Sequence, residues 1–202
     1  LSFFLSQPLN NKLIFVSTDT VHGEELWITD GTSAGTQLLK DIYQGQGSSS
    51  PKGFTLFNNK LYFVADDSTH GNELWVTDGT VEGTVMVKDI NTGNYASSPK
   101  FLTVYNNKLY FQADTETHGK ELWQSDGTES GTLLYSDFLQ GVNGSLPRYL
   151  TTYNDKLYFS AYSATYGNEL FEISSNQTTI NLVSDININF SPNFGVPSSD
   201  PE

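Results

Sequence analysis

The chain has 202 residues and a formal charge of −13, from 23 acids against 10 bases, with Arg148 the single arginine. Such a surface repels phosphate backbones and anionic lipid, which argues against nucleic acid and acidic membranes as partners. The absence of cysteine removes disulfides and thiolate chemistry, and no apolar run approaches the roughly 18 residues of a membrane span.

Taken in chain order, the first recognisable element is Asn10-Asn11-Lys12-Leu13-Ile14-Phe15. It returns at Asn58, Asn106 and Asn154, a step of 48 each time. His22-Gly23 keeps the same step through His70-Gly71 and His118-Gly119, with Tyr166-Gly167 in the fourth copy. A period this regular means one structural unit repeated. In the second copy, Phe54–Phe57 reads as a first strand and Asn58-Asn59 as a type I′ hairpin turn, because asparagine tolerates positive φ. Lys60–Ala65 reads as the second strand, Glu73–Thr77 as the third, and Thr84–Ile90 as the fourth after the turn Asp78–Gly83. Leu61, Phe63 and Ala65 alternate with Tyr62 and Val64, so both faces of the sheet are apolar and want neighbours. Four strands per unit and a period in the forties predict an all-β fold, a β-propeller of four 48-residue blades. The blades run roughly 1–48, 49–96, 97–144 and 145–186, as a closed four-bladed ring or as part of a larger one. The tail 187–202, with Phe190, Phe194 and Val196, reads as a closing strand or a truncated fifth repeat. A chain starting at Leu1 also leads us to expect a removed signal segment or a preceding domain.

The strings Glu25–Thr32, Glu73–Thr80 and Glu121–Thr128 resemble the bacterial ELWxxDGT repeat proteins, as do the trailing Gly35-Thr36, Gly83-Thr84 and Gly131-Thr132 pairs. The fourth copy departs from the pattern: Glu169–Asn176 lacks both the tryptophan and the Asp-Gly-Thr turn. The resemblance implies a secreted or cell-surface bacterial propeller and supplies no catalytic residue.

Three sets of residues carry the functional expectations. His22, Trp27 and Asp30, with their equivalents His70, Trp75, Asp78 and His118, Trp123, Asp126, sit one set per blade. Sheets pack about 10 Å apart, so these histidines cannot share one zinc. A hydrogen-bonded strut within each blade is expected, since the fourth copy loses all three residues together. The Asp-Gly-Thr turn resembles a sialidase Asp-box, but a carboxylate-clamping site needs more arginines than Arg148.

Glu25, Glu73, Glu121 and Glu169 recur in all four units, as do Asp41, Asp89, Asp137 and Asp185. Paired carboxylates repel unless donors or a cation intervene. Backbone N–H capping, offset by Lys40 and Lys88, and calcium binding are the three readings, with calcium the one candidate cofactor.

Loops at one end of the blades offer Tyr43, Tyr95, Tyr162, Tyr166 and Arg148 as ligand-binding candidates, because loops on a rigid scaffold are where function tends to sit. The expected function is an extracellular binding or adhesion module, not an enzyme, recognising a glycan or an extracellular protein, with self-association or a larger assembly also open. No membrane insertion is expected. An architectural spacer is the alternative, and a carboxylate-dependent glycoside hydrolase using Glu116 and Asp67 ranks last.

Overall fold

The structure, a computed structural model, describes residues 6–174 and 179–186. These residues form sixteen strands and no helix. The first sheet holds β1 (Ser6–Leu9), β2 (Lys12–Asp19), β3 (Gly23–Thr29) and β4 (Gln37–Lys40). The second holds β5 (Lys52–Phe57), β6 (Lys60–Asp66), β7 (Asn72–Thr77) and β8 (Val85–Lys88). The third holds β9 (Lys100–Tyr105), β10 (Lys108–Thr115), β11 (Gly119–Ser125) and β12 (Leu133–Ser136). The fourth holds β13 (Arg148–Tyr153), β14 (Lys156–Ser163), β15 (Gly167–Ser174) and β16 (Asn181–Ser184). Each sheet is an antiparallel meander in chain order. The expected tail strand lies outside the described residues.

Local chemistry sets each turn. Asn58 and Asn59 take φ of 49° and 58°, the left-handed pair that a type I′ hairpin requires. The turn between the third and fourth strands is closed by side chains. Asp78 Oδ1 accepts from the Thr80 N–H at 2.9 Å and the Thr80 hydroxyl at 2.7 Å. Thr80 Oγ1 in turn accepts from the Gly83 N–H at 2.9 Å, and Thr77 and Thr84 join hydroxyls at 2.7 Å. The same Asp–Thr–Gly chain of bonds forms at Asp30 and Asp126.

Burial on both faces makes the sheets stack. One hydrophobic cluster joins Leu9, Ile14, Leu26 and Ile28 of the first sheet to Leu61, Phe63 and Trp75 of the second. A second cluster joins Phe57, Tyr62 and Leu74 to Leu109, Phe111 and Trp123. A third joins Tyr105, Tyr110 and Leu122 to Leu157, Phe159 and Phe171. The first strands pack against one another from sheet to sheet: the Thr55 hydroxyl donates to the Leu102 carbonyl at 3.3 Å and the Thr103 hydroxyl to the Leu150 carbonyl at 3.2 Å. The first strands are therefore the inner strands of a β-propeller with four four-stranded blades.

Candidate functional site

The four recurring glutamates lie at the start of each third strand and are buried. Glu73 accepts from the N–H groups of Ile90 (3.2 Å), Asn91 (3.4 Å) and Ser97 (2.9 Å) and from the Ser97 hydroxyl (2.5 Å). Glu25 draws the same set from Ile42, Tyr43 and Ser49, and Glu121 from Leu139 and Ser145. Glu169 accepts from the Ile186 N–H at 3.2 Å. Each glutamate thereby pins the loop that leads out of its blade. Burial nonetheless pushes the carboxyls of Glu25, Glu73 and Glu121 above the usual carboxylate range.

For the glutamates this geometry favours the backbone-capping reading over the calcium one. The donors around Glu25, Glu73 and Glu121 aim hydrogens at the carboxylate, and a cation placed there would face those same positive ends. Asp41 and Asp89 each turn one oxygen to a loop glycine, Gly45 N–H at 3.1 Å and Gly93 N–H at 3.0 Å. One carboxylate oxygen each of Asp41, Asp89 and Asp137 is buried and accepts no hydrogen bond among the described residues. Asp185 is exposed, and no three acid or imidazole side chains among the described residues converge on one point. Lys40 and Lys88 point elsewhere: their ammonium groups donate to carbonyls of the next blade, Thr84 at 2.6 Å and Thr132 at 2.9 Å.

The expected His–Trp–Asp strut does not form. His22 Nδ1 pairs with Asp19 at 2.8 Å and His70 Nδ1 with Asp67 at 2.7 Å, three residues upstream in each case. His118 meets Thr117 at 2.8 Å and Thr115 at 3.3 Å. Asp30, Asp78 and Asp126 spend their carboxylates on their own turns. The indole nitrogens of Trp27, Trp75 and Trp123 make no hydrogen bond among the described residues, and the rings serve as apolar packing, Trp75 and Trp123 between blades. The fourth blade keeps each local role separately: Phe171 packs at 4.8 Å from Phe138, and the Tyr166 N–H donates to Ser163 at 3.0 Å. The cap that sequence reasoning missed was visible in one column, Asp19, Asp67, Thr115 and Ser163, all residues that accept backbone N–H bonds. The Asp19 partner raises His22 above its ordinary value, and Asp67 does the same for His70.

The loop candidates spread over the blades. Tyr43 is half-buried, its N–H engaged by Glu25, while Tyr95, Tyr162, Tyr166 and Arg148 are exposed. Three cavities among the described residues lie elsewhere. Two sit between neighbouring Asn hairpins, about 450 Å³ beside Asn10 and Asn58 and about 430 Å³ beside Asn106 and Asn154. The third, about 540 Å³, runs along the inner strands past Gln7, Phe54, Thr55 and Phe101. Asp67, one member of the hydrolase pair, is committed to His70 and to two backbone N–H groups.

The inner strands carry the feature that sequence reasoning missed. Each of β5, β9 and β13 is bulged, and the bulge holds Gly53, Phe101 or Tyr149 at φ of 72°, 61° and 56°. Glycine takes that backbone freely, but a bulky aromatic there is strained by about 1–3 kcal/mol. Phe101 and Tyr149 nevertheless hold it, with ring centroids 5.8 Å apart, and Tyr149 is 72% exposed. Lys100 and Arg148, both exposed, directly precede the two rings.

The fold and this surface define a β-propeller module with an aromatic patch at its inner edge. No family model matches the chain, and no curated protein matches it. Solved structures do. A puromycin hydrolase S511A mutant complexed with PGG superposes with a TM-score of 0.57 at 13% identity, over 86% of this chain and 27% of that one. A prolyl endopeptidase gives 0.54 at 12% identity, over 89% and 26%. The Pyrococcus horikoshii acylaminoacyl peptidase gives 0.55 at 12% identity, over 92% and 28%. The likeness is to the propeller domains of these enzymes and supports the fold alone. The chain spans about a quarter of the length of the proteins it matches.

Proposed function

We propose that the chain is a secreted or cell-surface, non-catalytic binding module that recognises a glycan on the rings of Phe101 and Tyr149. The extracellular setting rests on the ELWxxDGT resemblance. The recognition surface rests on one observation: Gly53 builds the same bulge in the second blade without strain, so the aromatic side chains of the third and fourth blades are not needed to make it. Exposed, rigid aromatic faces offer contact area at low entropic cost, and the adjacent inner-strand cavity supplies a wall with polar groups at Gln7 and Thr55. Lys100 and Arg148 place two cations there on a molecule of net charge −13, which suits sugars bearing an acidic group.

The test is a glycan array probed with the wild-type chain and with the double variant Phe101→Gly/Tyr149→Gly. Wild-type signal on a subset of glycans, lost in the variant, is the expected result. A blank array at high protein concentration, or equal binding by both proteins, contradicts the proposal.

A further inference from the structure

Almost every basic residue of this acidic chain has a partner. Lys120 and Lys156 pair with Asp114 and Glu172, and Lys12 and Lys60 act on the charges of Asp30 and Asp78. Lys40 and Lys88 donate to carbonyls of the next blade, Lys52 to Asn72 Oδ1 at 2.8 Å and Lys108 to Gln124 at 3.1 Å. Only Lys100 and Arg148 hold charged heads with no hydrogen bond or ion pair among the described residues, and both are exposed. They occupy one position on the adjacent strands β9 and β13, each directly before a ring in the left-handed backbone, Phe101 or Tyr149. In a chain with 23 acids, two neighbouring cations without one are the exception.

The second blade differs at the same position. Gly53 takes the bulge at φ of 72°, and a Cβ placed on it would meet only a Val64 methyl, at 3.9 Å. The next two blades fill that position with rings. The missing side chain leaves a notch beside Phe101, part of the cavity of about 540 Å³ that runs along Gly53, Thr55 and Phe101. A volume of this size is in the range of small-ligand sites. The bulge accepts residues other than glycine, since φ of 61° and 56° carry Phe101 and Tyr149. The space at Gly53 is therefore set by the side chain and not by the backbone.

We propose, on the strength of the glycan-binding reading, that this notch is the subsite for one terminal acidic sugar. Gly53 is its specificity-determining residue, and Lys100 and Arg148 are the partners of the sugar's carboxylate. The sugar ring lies in the notch against Phe101, which is 37% exposed. Arg148 offers a planar fork of N–H donors that matches a carboxylate, and Lys100 a point charge beside it. Charge selects the end of a chain over a polymer. A single carboxylate within about 10 Å of two free cations is attracted at ordinary salt. An acidic polymer continues past them into the field of a molecule of charge −13.

An array of matched glycans tests this. It carries glycans that end in a uronic acid, the same glycans with that carboxyl reduced to the alcohol, neutral glycans and polyuronate chains. The wild type is expected to bind the uronic-acid-terminated set, about ten-fold more weakly after carboxyl reduction, as the loss of two exposed ion pairs gives. Polyuronate is expected to bind more weakly than the terminal acid. Lys100→Gln/Arg148→Gln should lose the same factor on the acid-terminated set and leave the carboxyl-reduced set unchanged. Gly53→Ala and Gly53→Tyr make the same demand on the backbone and differ in volume. Gly53→Ala is expected to bind like the wild type and Gly53→Tyr to lose the signal, with circular dichroism unchanged in both. Equal wild-type binding before and after carboxyl reduction, or a preference for polyuronate, overturns the acidic subsite while leaving glycan binding in place. Full binding by Gly53→Tyr, or equal loss in both Gly53 variants, overturns the role of the notch. A blank array removes the subsite and the glycan-binding reading together.

Discussion

The glutamate that opens each third strand holds the loop leading out of its blade. It is a buried acid surrounded by donors, so removing its charge also leaves those donors facing the wrong group. Glu73→Gln turns an amide N–H₂ towards the N–H of Ile90 or Ser97 and is expected to cost about 1–3 kcal/mol, measured by denaturant unfolding. Unchanged stability would show that the loop holds itself. The pH dependence has two opposed parts. The raised carboxyls of Glu25, Glu73 and Glu121 disfavour the ionised folded state, so their contribution falls as pH rises through the carboxylate range and recovers on acidification. His22 and His70 are raised above the ordinary 6.5 by their aspartates, so their pairs stabilise fully below that value and lose this contribution as pH rises through the folded pKa. NMR titration should place both imidazoles above 6.5, and Asp67→Asn should return His70 towards it while leaving His22 unmoved. A His70 titration unaffected by that substitution would remove Asp67 as the cause. These pairings were legible as a column of Asp, Asp, Thr and Ser. The tryptophan beside them was misread as a partner because its chemistry suggested a donor where its position demands only a ring.

At the scale of the element, the strands were readable and their irregularities were not. Lys60–Asp66 and Asn72–Thr77 fall within one residue of the alternation in the sequence, because apolar columns on both faces leave the register little freedom. The Asp-Gly-Thr turn was also legible as a turn, and the structure adds its closure by hydroxyls. At Gly83 a Cβ would stand 2.1 Å from the Asp78 carboxylate, so Gly83→Ala must break the Asp–Thr pair or shift the turn. The expected loss is about 1–2 kcal/mol in thermal or chemical unfolding, and a neutral substitution would mean that the turn forms without its side-chain bonds. The bulge of the inner strand left a weaker trace. A glycine in one repeat and aromatic residues in the next two look like ordinary variation until φ shows that all three share a left-handed backbone. Tyr149→Gly should therefore leave stability equal or raise it by up to about 1 kcal/mol. A clear loss would mean that the ring itself supports the blade.

For the whole molecule, the repeat predicts the architecture because each blade buries both faces only against copies of itself. The number of blades in the ring is a different matter, since period and strand pattern are the same in an arc and in a closed circle. Function was the least legible level. The sequence points to the loops around Tyr43, Tyr95 and Tyr162, where exposed polar residues accumulate, whereas strain and exposure together single out Phe101 and Tyr149 on the inner strands. Chemical-shift mapping of the labelled chain, titrated with a glycan that it binds on the array, separates the two surfaces most directly. The predicted result is perturbation centred on Phe101, Tyr149 and the inner-strand residues Gln7 and Thr55. Perturbation centred on Tyr43, Tyr95 and Tyr162, with the inner strands silent, would contradict it.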